Sequence, residues 1–532
     1  MEFYALVKKN TYHDSMKLMQ LQSILETIPG IISCGIAMAT PANKETFRDA
    51  GLVSPQIEEA GPNDLCIAIR AENKEALSSG VEEIQKYFLA KRPVSGFFGQ
   101  ERVLPKSISS ALRRLPDSNL AIISVPGQHA AWEARKALSQ GLHVFLFSDN
   151  VLLEDEVELK ELASEKGLLL MGPDCGTAVI GGVPLGFSNV IRRGRIGLIG
   201  ASGSGMQEVC CLIHRMGEGI SQAIGTGGRD LSKEVGGKTF IMALEALLED
   251  QETEVLVLMS KHCDERAAQG VVERTKESRK PVVAFFPSTR FLNEGKQGNV
   301  YPAANLEHIA ALTVALVRGE KIPLPLTRDG AEEAMKFLIG RESPRFSPEQ
   351  KYLRAFFAGG TLADEANEIL PCLLNRVYSF PASERAIFLE NPRASKEHCI
   401  IDMGDDAFTK GKLHPIIDPS LRNERILKEA QEGNIRVFLL DVFLGYGAHP
   451  DPGTGLARTI VEAKKAYTKK GKSLCFVVSL TGTEGDPQNY NAQKRRMEEV
   501  GAIVMESSTR ATYLAGLIAA EKRNTYRGVL SE

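Results

Sequence analysis

A glycine-rich turn between an apolar run and a helical pattern occurs twice in this chain, at 196–209 (IGLIGASGSGMQEV) and at 353–366 (LRAFFAGGTLADEA). Ser202, Gly203 and Ser204 in the first turn, and Gly359, Gly360 and Thr361 in the second, combine small residues with hydroxyls. Glycine lets the backbone turn sharply and approach a ligand closely. A helix that starts there offers free N–H groups and the positive end of its dipole. That chemistry binds phosphate or carboxylate, so all six residues are candidate phosphate ligands. An ordinary N-cap is the competing reading of either turn taken alone. Neither turn is followed by GKS or GKT, so neither is a Walker A loop, and no triad can be assigned around GASGSG.

Other polar groups gather near strand ends. GTGGRD puts Asp230 after an apolar run, and DMGDD puts Asp402, Asp405 and Asp406 after another. LHPIIDPSLR brings His414, Asp418 and Arg422 into a proline-braced loop, and GYGAHPDPG adds His449 and Asp451. Carboxylates and imidazoles so placed suit substrate binding, general base work or a divalent ion. Turn chemistry explains the same residues equally well, because Asp and Pro recur in loops for local reasons. His262, just after a strand, is a further candidate for a cleft, whereas His214 and His308 lie in helical patterns and read as structural. Cys175, in GPDCGTA, has no neighbour in sequence that would activate a thiol and reads as part of a rigid turn.

The elements that position these residues follow from pattern. The chain has 532 residues, too many for one core. Its 43% hydrophobic and 25% charged residues are the balance of an ordinary globular protein, and a net charge of −3 gives no electrostatic case for nucleic acid or acidic membranes. No apolar run approaches the ~20 residues of a membrane span, no signal peptide is visible, and nine scattered cysteines without CxxC point to a reducing, cytoplasmic setting. Apolar runs alternate with helical stretches, which predicts α/β architecture with several doubly wound parallel sheets. The expected units are a small α/β region at 1–100 with a linker near 93–99, a Rossmann-type region at 101–194, domains at 195–325 and 351–532, and a proline-rich linker at 326–350. The two later units share their order of motifs, as a diverged duplication would.

SDNVLLEDEVELK, EKGLLLMGPDCGTA, GRIGLIGASGSGMQEV, GTGGRDLSKEVGG, AGGTLADEA, DMGDDAFTKGKLHPIIDPSLR and GYGAHPDP resemble, in that order, the FdrA family, which is similar to the succinyl-CoA synthetases, the NDP-forming acyl-CoA synthetases. The resemblance implies a CoA-binding domain within 1–190 and two flavodoxin-like ligase domains, α-type at 195–325 and β-type at 351–520. It implies that both glycine-turn helices point at one phosphate centre. The synthetases carry a phosphorylated histidine in a GHAG-like turn. Here NEGKQGNV puts Lys296 or Gln297 in its place, and KKNTYHDS replaces the glycine-rich CoA loop. No ATP-grasp domain is evident. The family is linked to oxamate carbamoyltransferase, which interconverts oxalurate plus phosphate with oxamate plus carbamoyl phosphate and acts with partner proteins of other families. The expectation is therefore a subunit for phosphate-dependent carbamoyl or acyl transfer, with phosphate or an acyl or carbamoyl phosphate as ligand and no metal. Lys296, His414 and Asp418 would be its catalytic groups. Asp230, Asp405, Asp406, Arg422 and His449 would line the substrate. A CoA-using synthetase and a non-catalytic metabolite-binding subunit are the alternatives, and a homodimer is compatible with either.

Overall fold

The computed structural model describes residues 1–11, 13, 15–26, 28–90, 105–261, 263–276, 278–287, 289, 291–410 and 412–520. His262 and the expected linker at 93–99 lie outside the described residues. The chain forms two compact units, one of residues 1–104 with 408–414 and one of the remainder.

In the first unit, β1 (Glu2–Lys8), β2 (Ile31–Met38) and β3 (Leu65–Ala71) make an antiparallel sheet in the order β1-β3-β2. Side chains alternate across a strand. Leu65, Ile67 and Ile69 therefore pack with Leu18, Leu21, Leu25 and Ile84 of the helices Ser15–Glu26 and Lys74–Ala90. Cys66 and Ala68 pack on the other face with Phe47 and Ile57 of the helices Pro41–Asp49 and Pro55–Glu59. This region is thus an antiparallel sheet with its own core.

Among the described residues, the second unit contains three sheets. Residues 101–194, expected as a Rossmann-type region, supply only a short parallel sheet of β4 (Leu120–Ile123), β5 (His143–Leu146) and β6 (Leu170–Met171). The hairpin β7 (Thr177–Ile180) and β8 (Val183–Gly186) joins the next sheet instead. That sheet adds β9 (Arg193–Ala201), β10 (Ile220–Gly225), β11 (Val255–Ser260), β12 (Val282–Phe285) and β13 (Val300–Pro302), in the order β13-β12-β11-β9-β10-β7-β8. Its five parallel strands follow the flavodoxin-like 2-1-3-4-5 order, which leaves a crevice beside the carboxyl end of the first strand, here β9.

The third sheet is parallel throughout, with β14 (Tyr352–Phe357), β15 (Val377–Phe380), β16 (Ile387–Phe388), β17 (His398–Asp402), β18 (Ile435–Phe443), β19 (Cys475–Thr481) and β20 (Ile503–Met505) in the order β16-β15-β17-β14-β18-β19-β20. One apolar core joins the two large sheets through four helices, Gly203–Arg215, Leu306–Arg318, Gly360–Ile369 and Ser508–Ala519. The segment expected as a linker is not an open connector. It forms the helices Arg328–Ala334 and Lys336–Glu342, because Ala331 and Met335, four residues apart, bury one face in that core.

The halves correspond in detail. Glu208 lies six residues after the N-cap Ser202, and Glu365 six after the N-cap Gly359. Glu208 accepts the N–H of Ser508 at 2.9 Å, and Glu365 accepts the N–H of Leu306 at 2.9 Å. Each glutamate so caps the first turn of the last helix of the opposite half, where a negative group is favoured.

Candidate functional site

The two glycine turns meet. Ser202 Oγ accepts from Gly205 N at 3.2 Å and lies 2.5 Å from Thr361 Oγ1, while Ser204 Oγ accepts from Thr361 N at 3.3 Å. The approach requires glycine: a β-carbon on Gly205 would come within 2.7 Å of Thr361 Cγ2, and one on Gly359 within 2.9 Å of Ser204 Cβ. The six residues singled out from sequence are therefore together, at the carboxyl ends of the central strands β9 and β14. Ser202 and Thr361 are buried, and Gly203, Ser204 and Gly360 are partly open. Among the described residues, the N–H groups of Gly203, Ser204 and Gly360 have no hydrogen-bond partner. Two helix ends, each contributing about half a positive charge, converge with three free donors, which is an arrangement suited to an anion.

The second turn is held from beneath. Asp441, fully buried near the end of β18, accepts from Ala358 N at 2.8 Å and Gly359 N at 2.8 Å. Arg422 donates to its carboxylate at 2.6 Å and to its carbonyl at 2.8 Å. Burial pushes the Asp441 carboxyl up, and the Arg422 cation opposes it. Arg422 was expected to line the substrate. Instead it is buried and acts on the turn through Asp441, a pairing that sequence spacing does not reveal.

Two further side chains face Gly360. A β-carbon on that residue would lie 2.7 Å from Asp402 Oδ2 and 3.6 Å from Lys261 Nζ. Asp402 closes β17 and Lys261 follows β11. Burial raises the Asp402 carboxyl to about 7, with Lys261 and the Gly404 N–H acting the other way. Lys261 also acts on Asp174, in the GPDC turn after β6. Sequence reasoning gave Lys261 and Asp174 no role. The only signal was their position after apolar runs.

The other candidates disperse. Asp230 was expected at the substrate but is fully buried. Its carboxylate takes Lys160 Nζ at 2.6 Å and Phe240 N at 2.8 Å, so it anchors the GTGGRD loop. Asp405 accepts Ala407 N at 2.9 Å, and Asp406 is exposed. Asp418 accepts both Ser420 N and Ser420 Oγ, and His449 Nδ1 accepts Asp451 N at 3.0 Å, which is local turn chemistry. His414 belongs to the first unit, whereas Asp418 belongs to the second. Lys296 is exposed, with its ammonium 4.3 Å from the centre of the Tyr301 ring. Burial pushes the Cys175 thiol up to about 12, too high for a nucleophile near neutral pH. His214 and His308 are structural: the first accepts Arg192 N at 3.0 Å and the second Ala304 N at 3.1 Å.

The Escherichia coli protein YahF is 39% identical over 511 residues, 96% of this chain and 97% of YahF. The chain belongs to the YahF family. Within it, residues 191–288 match a CoA-binding domain and 356–518 a CoA-ligase, so this YahF-family chain is succinyl-CoA synthetase-like. The CoA-binding match falls on the half that carries the first glycine turn rather than on 1–190. Subunit alpha 2 of the ADP-forming succinate–CoA ligase of Archaeoglobus fulgidus is 27% identical over 238 residues, 42% of this chain and 80% of that one. Subunit alpha-2 of the mitochondrial enzyme of Trichomonas vaginalis is 27% identical over 188 residues, 34% of this chain and 59% of that one. No helix among the described residues is long and apolar enough to cross a membrane.

Residues 1–102 match a domain described as "AllF, heavy metal-associated domain". Among the described residues, no group of three His, Cys, Asp or Glu side chains there could hold an ion. Cys34 and Cys66 lie on opposite faces of the sheet. The free donors at the two turns, by contrast, fit a phosphate group, whether free or part of CoA.

Proposed function

We propose that this chain is an FdrA-type subunit for phosphate-dependent carbamoyl or acyl transfer. In the oxamate carbamoyltransferase form of the reaction, a phosphate oxygen attacks the ureido carbonyl of oxalurate. The C–N bond to the oxamate portion breaks, the leaving nitrogen takes up a proton, and carbamoyl phosphate is released. The observation that carries this reading is the convergence of two helix N-termini with the unpartnered N–H groups of Gly203, Ser204 and Gly360. Donors fixed before the reaction stabilise charge as it develops, because they need no reorganisation. Holding phosphate and a second anion side by side would supply much of the rate. Partner subunits of other families would complete the substrate side.

The CoA-binding match favours a second reading, an acyl-CoA synthetase in which CoA supplies the thiol that accepts the acyl group. Calorimetric titration of the full chain with inorganic phosphate, carbamoyl phosphate and CoA, each alone, separates the two. Phosphate or carbamoyl phosphate binding without CoA supports transfer, and tight CoA binding with no phosphate affinity overturns it in favour of the synthetase. The double variant Ser204→Ala with Thr361→Ala should lose phosphate binding while retaining its fold. Intact binding in that variant would exclude the two hydroxyls as ligands and leave the backbone N–H groups as the donors.

A further inference from the structure

We infer that Lys261 and Asp402 are the ligand-reading pair of the helix-terminus site, Lys261 as its fixed cation and Asp402 as an acid that carries a proton into the complex with phosphate. The inference rests on the anion reading of the two turns and goes beyond it in naming which side chains read the ligand.

Lys261 makes no ion pair or hydrogen bond among the described residues, yet its ammonium lies beside Gly360, at the N-terminus of a ten-residue helix. An ammonium is normally paired when carboxylates are near, and here Asp174 and Asp402 act on it without closing a bond. Asp402 is 9% exposed. Its Oδ1 accepts Gly404 N at 2.8 Å, while Oδ2 has no hydrogen-bond partner among the described residues and is aimed at the same helix end. The cleft thus holds an unpaired cation, three free N–H donors and one buried carboxyl with an uncommitted oxygen.

An ionised Asp402 would repel phosphate at this distance. The neutral acid instead donates its O–H to a phosphate oxygen. The groups facing Asp402 are Lys261 from the end of β11, Asp364 from the helix Gly360–Ile369 and Asp405 from its own loop. Lys261 favours the ionised form, whereas the two aspartates and burial favour the neutral one, so the carboxyl titrates at about 7. An arriving anion adds a further negative charge and pulls the proton on. Binding above neutrality is therefore coupled to proton uptake, and affinity falls as pH rises. The same pair distinguishes this site from one centred on Lys296, whose ammonium is committed to the Tyr301 ring.

The test is calorimetry of the full chain with inorganic phosphate and with sulfate, at pH 8, in buffers of different ionisation enthalpy. Sulfate does not titrate in this range, so any proton it brings is taken up by the protein. Wild type should bind both anions and take up a substantial fraction of one proton with sulfate. Lys261→Ala should weaken both by roughly tenfold or more, with partial recovery in Lys261→Arg. Asp402→Asn should still bind sulfate but without proton uptake. Gly360→Ala, whose methyl would fill the space between the two side chains, should lose binding while its circular dichroism stays native. The assignment is overturned if wild type binds and Lys261→Ala binds as tightly, if Lys296→Ala carries the loss instead, or if Asp402→Asn takes up the same proton. Should wild type bind neither anion, the anion reading of the turns itself falls, and the pair falls with it.

Discussion

The turn after β9 and the turn after β14 reach the same place by different means. The first caps itself: Ser202 bonds the N–H of Gly205 within its own turn. The second has glycine at the N-cap and so no cap of its own; Ser204 of the first turn accepts its Thr361 N–H, and Asp441 and Arg422 hold it from neighbouring elements. The two halves therefore place their helix ends alike while the support for each differs. The externally held turn is also the one that leaves Gly360 open beside Lys261 and Asp402.

The sharpest break of this comparison is Asp441→Ala. It leaves the buried Arg422 without its carboxylate and frees two turn N–H groups, and removing one partner of a buried pair costs about 3–5 kcal/mol. Urea unfolding should show that loss. A cost under about 1 kcal/mol would mean that the second turn also holds itself.

The capping glutamates carry the asymmetry further. Glu208 has the Arg215 cation to oppose its burial, whereas Glu365 has only neutral donors, and burial raises its carboxyl to about 7. The folded chain then binds more protons than the unfolded chain between about 4.5 and about 7, so this group's contribution falls as pH rises through that window. Above it the accumulated cost is on the order of 3 kcal/mol. Glu365→Gln should flatten the pH dependence of stability across that window, measured as the difference from wild type. An unchanged slope would show that Glu365 is ionised in the fold.

Much of this was legible in sequence, and the limits have a physical cause. The alternation of apolar runs and helical patterns marked the strands of both large sheets, since buried parallel strands read as continuous apolar segments. The meeting of the two turns was expected from the family resemblance, whereas the motifs themselves marked only where a strand feeds a helix. What sequence could not show was which charges are buried with a partner. Asp230 and Arg422 looked like site residues because they sit in polar loops, but Lys160 and Asp441, distant in sequence, take them into the interior. Lys261 was passed over for the opposite reason. A single lysine after a strand has no motif, and its place depends on β11 lying beside β9, a neighbour that is not consecutive in the chain.

Glycine substitution grades the two turns on a finer scale. A β-carbon on Gly203 would meet nothing closer than Thr177 Oγ1 at 3.5 Å, an ordinary contact. One on Gly359 would lie 2.7 Å from Phe443 Cζ, inside a packed ring. Gly359→Ala should therefore cost about 1–3 kcal/mol, as overpacking does, while Gly203→Ala should be close to neutral. Equal costs in thermal unfolding would mean that the second turn relaxes as freely as the first.

The smallest expected effect is at the hydroxyl contact where the turns touch. Ser202→Ala removes an N-cap, worth about 1 kcal/mol, together with its bond to Thr361 Oγ1. Thr361→Val removes only the second of these. If the two turns share their hydroxyl bond as a single unit, the double variant should lose less than the sum of the singles, with a coupling of about 0.5 kcal/mol or more. Simple additivity would leave each turn stabilised within its own half, and their meeting would then matter for binding alone.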